Sequence, residues 1–333
     1  MRIPRAARTI GGAVAVAVLV VAAGINANQS GAGADLRTKT TLIAPASPGG
    51  GWDLVAREAQ QALRSESIVG NVSVNNIPGA GGTIGLATLA QMDGQASFMM
   101  VTGTVMMGGI TRNKAETTLD ELTPVARLAQ DFEVVAVPAD SPFQTLDDFF
   151  AAWEENPAAL PIGGGSAGGI DHMVAGQLAR EAGVEPGDLE YAAHAGGGEL
   201  TISLLSTAAG TVEVGISGYN DFRDLLINGS LRALAVVAPE RLEGLDAPTM
   251  TELGYESVDL VNWRGLVAPA GITAEERAEL ESVVLEMVAT EHWQEAVTRN
   301  RWQPWVLTGD EFTEFLVEEQ ERVDVILTDL GLV

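Results

Sequence analysis

Apolar residues along this chain come in short runs separated by stretches with helical spacing. "TLIAP" (41–45) reads as a strand ending at a proline-glycine turn, and 53–64 places Leu54, Val55, Ala59, Ala62 and Leu63 on one helix face. "VSVNN" (72–76) is a second strand, "PGAGG" (78–82) a glycine-rich turn before a helix of small residues to Ala90, and "SFMMVTG" (97–103) a third strand. This strand–helix rhythm predicts a mostly parallel α/β sheet.

The rhythm restarts after "FEVVAVPADSP" (132–142), a strand running into a proline-punctuated link. Thr145 and Asp148 form a capping-box pattern that opens a helix through Trp153. Strands follow at 160–164, 189–194, 211–217 and 231–239, with helices from the glycine turn to about Ala182, at 199–207 and at 220–228. After a second link, "VNWRGLVAPAG" (261–271) is a strand. Thr273 with Glu276 and Thr308 with Glu311 are capping-box patterns for two last helices, the second striped with Phe312, Phe315, Leu316, Val323 and Leu327. Two α/β halves joined near 138–142 and 238–244 predict a discontinuous first lobe (35–139 and 239–333) and an inserted second lobe (140–238). The chain would cross the hinge twice, a layout suited to ligand capture by closure. Ligand is expected at the carboxyl ends of the strands.

The segment 1–34 falls outside this pattern. Arg2, Arg5 and Arg8 precede an apolar run from Ile10 to Ile25, and Ala32-Gly33-Ala34 resembles a cleavage site. That is the layout of a secretory signal peptide, and the run is short for a membrane span. The protein is therefore expected to be exported to the periplasmic or extracellular side, either free or tethered by an uncleaved N-terminal segment. The chain of 333 residues has no cysteine, which excludes disulfides, thiolate metal sites and a cysteine nucleophile. Its net charge is −26, and because the signal-like segment holds three arginines and no acid, the remainder carries −29. Lys39 and Lys114 are the only lysines. Such a chain repels nucleic acid and anionic membrane surfaces. Neither is expected as a partner.

Four turns follow strands where a ligand is expected: "SPGGGWD" (47–53), "VTGT" (101–104), "GGGSAGGIDH" (163–172) and "ISGYN" (216–220). A helix start exposes unpaired N–H groups and the positive end of the dipole, and glycine lets a ligand approach them. Two such turns facing one another would hold an anion without lysine. The third turn admits rival readings. Gly163, Gly165 and Gly168 match a dinucleotide fingerprint, but the next strand ends in Ala192-Ala193-His194 without the acid a ribose needs. Gly164, Ser166 and Gly168 match a hydrolase elbow, which makes a secreted serine esterase the alternative. Its base would be His172, His194 or His292, none well placed in the sequence. No metal-ligand spacing is present, and no cofactor is expected. Asp53 and Asp171 follow glycine turns, where acids also serve as helix caps. Arg264 in "NWRG" offers a fork to a ligand carboxylate or to a structural acid.

Taken in order, "IAPASPGGGWDLVAR" (43–57), "NNIPGAGGTIG" (75–85), "VAVPADSPFQTLDDF" (135–149), "IGGGSAGG" (162–169), "GGGELTISLL" (196–205), "LRALAVVAPERL" (231–242) and "WRGLVAPAGIT" (263–273) resemble the substrate-binding proteins of tripartite tricarboxylate transporters, the Bug-type receptors. The "GGGE" run and "NWRG" lean to the tricarboxylate branch. The resemblance implies a periplasmic-binding-protein-like α/β fold, with two lobes joined by a two-segment hinge and a cleft between them. It implies a monomeric, non-enzymatic receptor that captures a di- or tricarboxylate, citrate-like first, for a permease of one large and one small subunit. Carried over, the site comprises Gly49, Gly50, Gly51, Trp52 and Asp53; Thr102, Gly103 and Thr104; and Gly165, Ser166, Ala167, Gly168 and Gly169. Ser217, Gly218, Tyr219 and Arg264 are further candidates. His194 departs from the tyrosine–lysine–glycine common in relatives and joins the set as a pH-sensitive contact.

Overall fold

The computed structural model describes residues 33–206 and 212–333. The basic and apolar parts of the signal-like segment lie outside them. Among the described residues no helix is long and apolar enough to cross a membrane. The strands are β1 (Lys39–Ala44), β2 (Asn71–Asn76), β3 (Phe98–Gly103), β4 (Thr123–Asp131), β5 (Glu133–Pro138), β6 (Ile162–Gly164), β7 (Tyr191–Ala193), β8 (Val214–Gly218), β9 (Leu231–Val237), β10 (Asn262–Ala268) and β11 (Gln303–Thr308). They form two sheets, β11-β4-β10-β3-β1-β2 and β7-β6-β8-β5-β9.

Both sheets are mixed, not mostly parallel. β1 pairs in parallel with β2 and β3, and β6 with β7 and β8. β10 runs antiparallel to β3 and β4, β11 to β4, and β5 to β8 and β9. Two of the strands that run against their neighbours, β5 and β10, are the first strands after each crossing between sheets. β4 passes into β5 through Phe132 alone, so the second sheet starts at Glu133, several residues before the boundary expected from the proline link. The return runs from β9 to β10.

β4 and β11 escaped the sequence pattern. Each contains a proline, and β4 carries Arg127. That arginine is fully buried, with its guanidinium 3.1 Å from the Trp305 ring centroid and 4.1 Å from that of Phe315. The two aromatic faces hold the cation where a sequence reading expects an apolar residue. Burial pushes the Arg127 pKa down to about 9.

Helix starts fall into two kinds. Thr145, Thr249 and Thr273 each cap a helix with the side chain and form capping boxes with Asp148, Glu252 and Glu276. The box expected at Thr308 and Glu311 is absent: the helix Gly309–Asp329 starts without a side-chain cap. Its stripe packs as expected, with Phe312, Leu316, Val323 and Leu327 buried. The second kind of start has glycine and no cap, and it surrounds the cleft.

Candidate ligand-binding site

Several helices begin at one cavity, among them Gly51–Ser65, Ile170–Glu181, Gly197–Leu204 and Tyr219–Ile227. Their N-cap residues are Gly50, Gly169, Gly196 and Gly218, and none makes a side-chain capping bond. The first helix belongs to lobe 1 and the other three to lobe 2. Each leaves first-turn N–H groups and a partial positive charge at its start. The cavity has a volume of about 440 Å³, within the range of small-molecule sites.

Of the residues expected from sequence, Gly50, Gly51, Trp52, Gly165, Ser166, Gly169, His194, Ser217, Gly218 and Arg264 line this cavity. The others stand behind it. Asp53 is buried and accepts bonds from Gly49 N–H, Arg57 Nε and Asn76 Nδ2, each at 2.8 Å. Burial would raise its pKa, but these three donors hold it below the usual carboxylate value. Asp53 thus fixes the shape of the turn from behind the cavity wall, and Gly49 is held by it. Thr102 Oγ1 donates to Met106 Sδ, and Thr104 Oγ1 to the Val261 carbonyl. Both are fully buried, with Gly103 between them under the Trp263 carbonyl. Tyr219 is buried and its N–H donates to the Phe132 carbonyl. Ala167 and Gly168 are not on the cavity wall either. Gly168 has φ +80°, and its N–H donates to His172 Nδ1 at 3.0 Å.

Arg264 enters from β10. Its Nη2 donates to Asp131 Oδ2 at 3.3 Å, with both side chains buried. A Cβ added to Gly51 would lie 3.0 Å from that Nη2 and 3.1 Å from Nη1, so bare backbone gives the guanidinium its room. Nη1 makes no hydrogen bond among the described residues, on a side chain that lines the cavity. This is a cation whose carboxylate partner is only half supplied by the protein.

Sequence reasoning missed an acidic group at the same place. Asp171 and Asp221 line the cavity, and Glu133 and Asp131 lie at the start of β5 and the end of β4 behind it. Glu133 is fully buried and accepts from Asn262 Nδ2 at 2.9 Å. Burial and the charges of Asp171 and Asp131 push its pKa well up. Asp171 also accepts the Gly165 N–H at 2.6 Å, and burial raises its pKa to about 6. Asp221 accepts from Ser217 Oγ at 2.8 Å. It is open to cavity water yet enclosed by protein on its other sides, and that enclosure raises its pKa, against the pull of Ser217 and Arg264. The only sequence signal for these acids was their place in the first turn of glycine-started helices, which also reads as ordinary capping.

The hydrolase geometry does not assemble. No hydrogen bond joins Ser166 Oγ to a histidine among the described residues. His172 Nδ1 is taken by Gly168, and its ring stacks on Tyr191 with centroids 4.0 Å apart. His194 Nδ1 faces the Gly164 carbonyl at 3.1 Å, and His292 pairs with Glu58.

Comparison with known proteins agrees with this geometry. The UPF0065 protein of the tcbD–tcbE intergenic region of Pseudomonas sp. (strain P51) is 31% identical over 235 residues, 69% of this chain and 68% of that one. Protein BugT of Bordetella pertussis is 25% identical over 295 residues, 87% of this chain and 88% of its own. In fold, the chain is similar to the periplasmic binding protein BugD (TM-score 0.76, 20% identity, 89% of this chain and 98% of that one). It is similar also to MatC from Rhodopseudomonas palustris with bound malate (TM-score 0.75, 22% identity, 87% and 99%). The family model described as tripartite tricarboxylate transporter family receptor matches residues 55–332. The chain belongs to that family, the Bug-type solute-binding receptors with a periplasmic-binding-protein fold.

Proposed function

We propose that this receptor captures a small carboxylate between its lobes outside the cytoplasm and delivers it, without chemical change, to a permease of one large and one small subunit. The observation that carries the reading is the ring of uncapped, glycine-started helices around one cavity, set beside helices elsewhere that are capped by threonine. Capping is omitted where a ligand oxygen can take its place. Micromolar capture requires about 8 kcal/mol. Hydrogen bonds to a charged group supply about 1.5–3 kcal/mol each. One carboxylate on Arg264 Nη1 and two or three helix-start N–H groups reaches that range. The malate bound to MatC and the adipate bound to another similar structure from R. palustris are acids of this size. A citrate-like acid was the first expectation from sequence.

The test is native mass spectrometry of co-purified ligand, followed by calorimetry with citrate, isocitrate, tricarballylate, succinate, glutamate and aromatic carboxylates. Binding of at least one small carboxylate is expected, and no heat with any of them would sink the reading. The esterase alternative has no base on Ser166, and labelling of that serine by a fluorophosphonate would revive it.

A further inference from the structure

Asp221 lines the cavity with one carboxylate oxygen free of hydrogen bonds among the described residues. Its Oδ2 takes the Ser217 hydroxyl, and its Oδ1 makes no hydrogen bond. Asp171 gives its Oδ2 to the Gly165 N–H at 2.6 Å, and the buried Glu133 carboxyl stands behind it. The start of the helix Gly197–Leu204 presses on Asp221 so closely that a Cβ on Gly197 would lie 2.1 Å from its carboxyl carbon. The helix start thus closes one side of the carboxylate, and its other side stays exposed.

The charges do not balance for a polyanion. Arg264 is the only cationic side chain lining the cavity, and Asp131 already neutralises it in part. Asp171 and Asp221 both face the same space, in a chain of net charge −26. The helix starts offset some of this field, each by a fraction of a charge. A second ligand carboxylate would have to sit beside Asp221. At the short distances inside such a cavity, like charges repel strongly unless one is protonated.

We propose that the cleft selects a net-neutral solute, whose carboxylate is taken by Arg264 Nη1 and the helix-start N–H groups and whose positively charged nitrogen is taken by Asp221 Oδ1. This rests on the carboxylate-capture reading above and narrows its substrate class. A nitrogen suits the site better than a metal ion: among the described residues no group of three or more acids and histidines stands close enough to hold a metal. Unpaired Arg264 Nη1 and Asp221 Oδ1 are then two halves of one recognition device, one from each lobe, and a zwitterion bridging them favours closure.

The experiment is calorimetry of the full exported chain with matched series of ligands. For each chain length the ω-amino acid (3-aminopropanoate, 4-aminobutanoate, 5-aminopentanoate) is compared with the ω-hydroxy acid and the dicarboxylate. The amino acid of the best length is expected to bind at least tenfold more tightly than both partners. In Asp221→Asn that preference for the amino acid over the dicarboxylate should shrink tenfold or more. The melting temperature of Asp221→Asn is recorded to confirm that it folds, and the wild-type series stands without it. A dicarboxylate or citrate binding as tightly as the amino acid overturns the proposal while sparing the carboxylate-capture reading. Citrate binding that appears only with added Mg2+ or Ca2+ overturns it too, because the positive charge would then be a metal. Absence of binding by every carboxylate would sink the parent reading as well.

Discussion

Gly108 of lobe 1 meets Gly168 of lobe 2 backbone to backbone: a Cβ built on Gly108 would lie 1.9 Å from the Gly168 carbonyl oxygen. The neighbouring Gly109 packs the other way, where its Cβ would stand 3.0 Å from the Gly81 carbonyl. The helix Thr104–Asn113 is thus a spacer, thin on both sides, that lets the lobes approach. Gly108→Ala separates closure from folding. Within a helix, alanine is favoured over glycine by about 1 kcal/mol, so lobe 1 itself gains. The methyl group nevertheless blocks the closed contact, and affinity falls by the fraction of molecules able to close. A loss of tenfold or more in ligand affinity is expected, with little change in melting temperature without ligand. Unchanged affinity by calorimetry would remove this contact from the closing mechanism.

Arg264 and Asp131 give a test in which binding and stability part company. Arg264→Ala removes the ligand's cation and strands a buried carboxylate. Breaking such a pair costs about 3–5 kcal/mol. Loss of its bond to the ligand costs a further 1.5–3 kcal/mol of affinity, about ten- to a hundredfold. Asp131→Asn on that background should recover most of the stability in a denaturant titration and none of the affinity. Recovery of affinity would mean that Arg264 serves the fold alone.

Much of this was legible in the sequence because glycine turns and capping boxes are local signals. Gly50–Trp52, Gly165, Ser166, Gly169 and Arg264, all singled out from sequence, line the cavity. The acids were not legible, because Asp171 and Asp221 each occupy a first-turn position where an acid is commonplace, and only the hinge brings Glu133 and Asp131 behind them. Thr102 and Thr104 were also legible as a strand end, but their hydroxyls go to Met106 Sδ and the Val261 carbonyl, behind the cavity wall. β4 was hidden by Arg127, a cation made acceptable by Trp305 and Phe315 from distant parts of the chain. Long-range burial of charge leaves no trace in local pattern.

His172 is expected to make the protein acid-sensitive. Burial, with the nearby Arg112 charge, lowers its pKa to about 4, and the neutral ring accepts from Gly168 and stacks on Tyr191. A histidine whose pKa falls on folding contributes stability above its unfolded value of about 6.5. That contribution is lost as pH falls through about 4. The full span is on the order of 3 kcal/mol. His172→Gln keeps an acceptor for the Gly168 N–H and removes the titration. Relative to wild type its stability should rise as pH falls from 6.5 to 4 in denaturant titrations, and parallel profiles would refute this assignment.

The Asp171–Glu133 pair works in the opposite direction over nearly the same range. Burial raises the Asp171 pKa to about 6 and pushes that of Glu133 well up. An acid whose pKa rises on folding binds its proton more tightly in the native state, so its contribution is present below about 4 and is lost as pH rises through about 6. The pair titrates as a unit, with a span on the order of 1–3 kcal/mol. Wild type should therefore show a shallow profile between pH 4 and 6, two slopes cancelling. Asp171→Asn exposes the histidine slope, and stability should then climb with pH. His172→Gln exposes the carboxyl slope, and stability should decline with pH. If both variants keep the wild-type profile, neither group titrates as described. The same protonation has a consequence for the ligand: with Asp171 neutral at pH 5, the cavity loses one negative charge, and dicarboxylates should bind more tightly there than at pH 7.5. A calorimetric series with succinate across that interval, repeated in Asp171→Asn, attributes the change to this residue if the variant is flat.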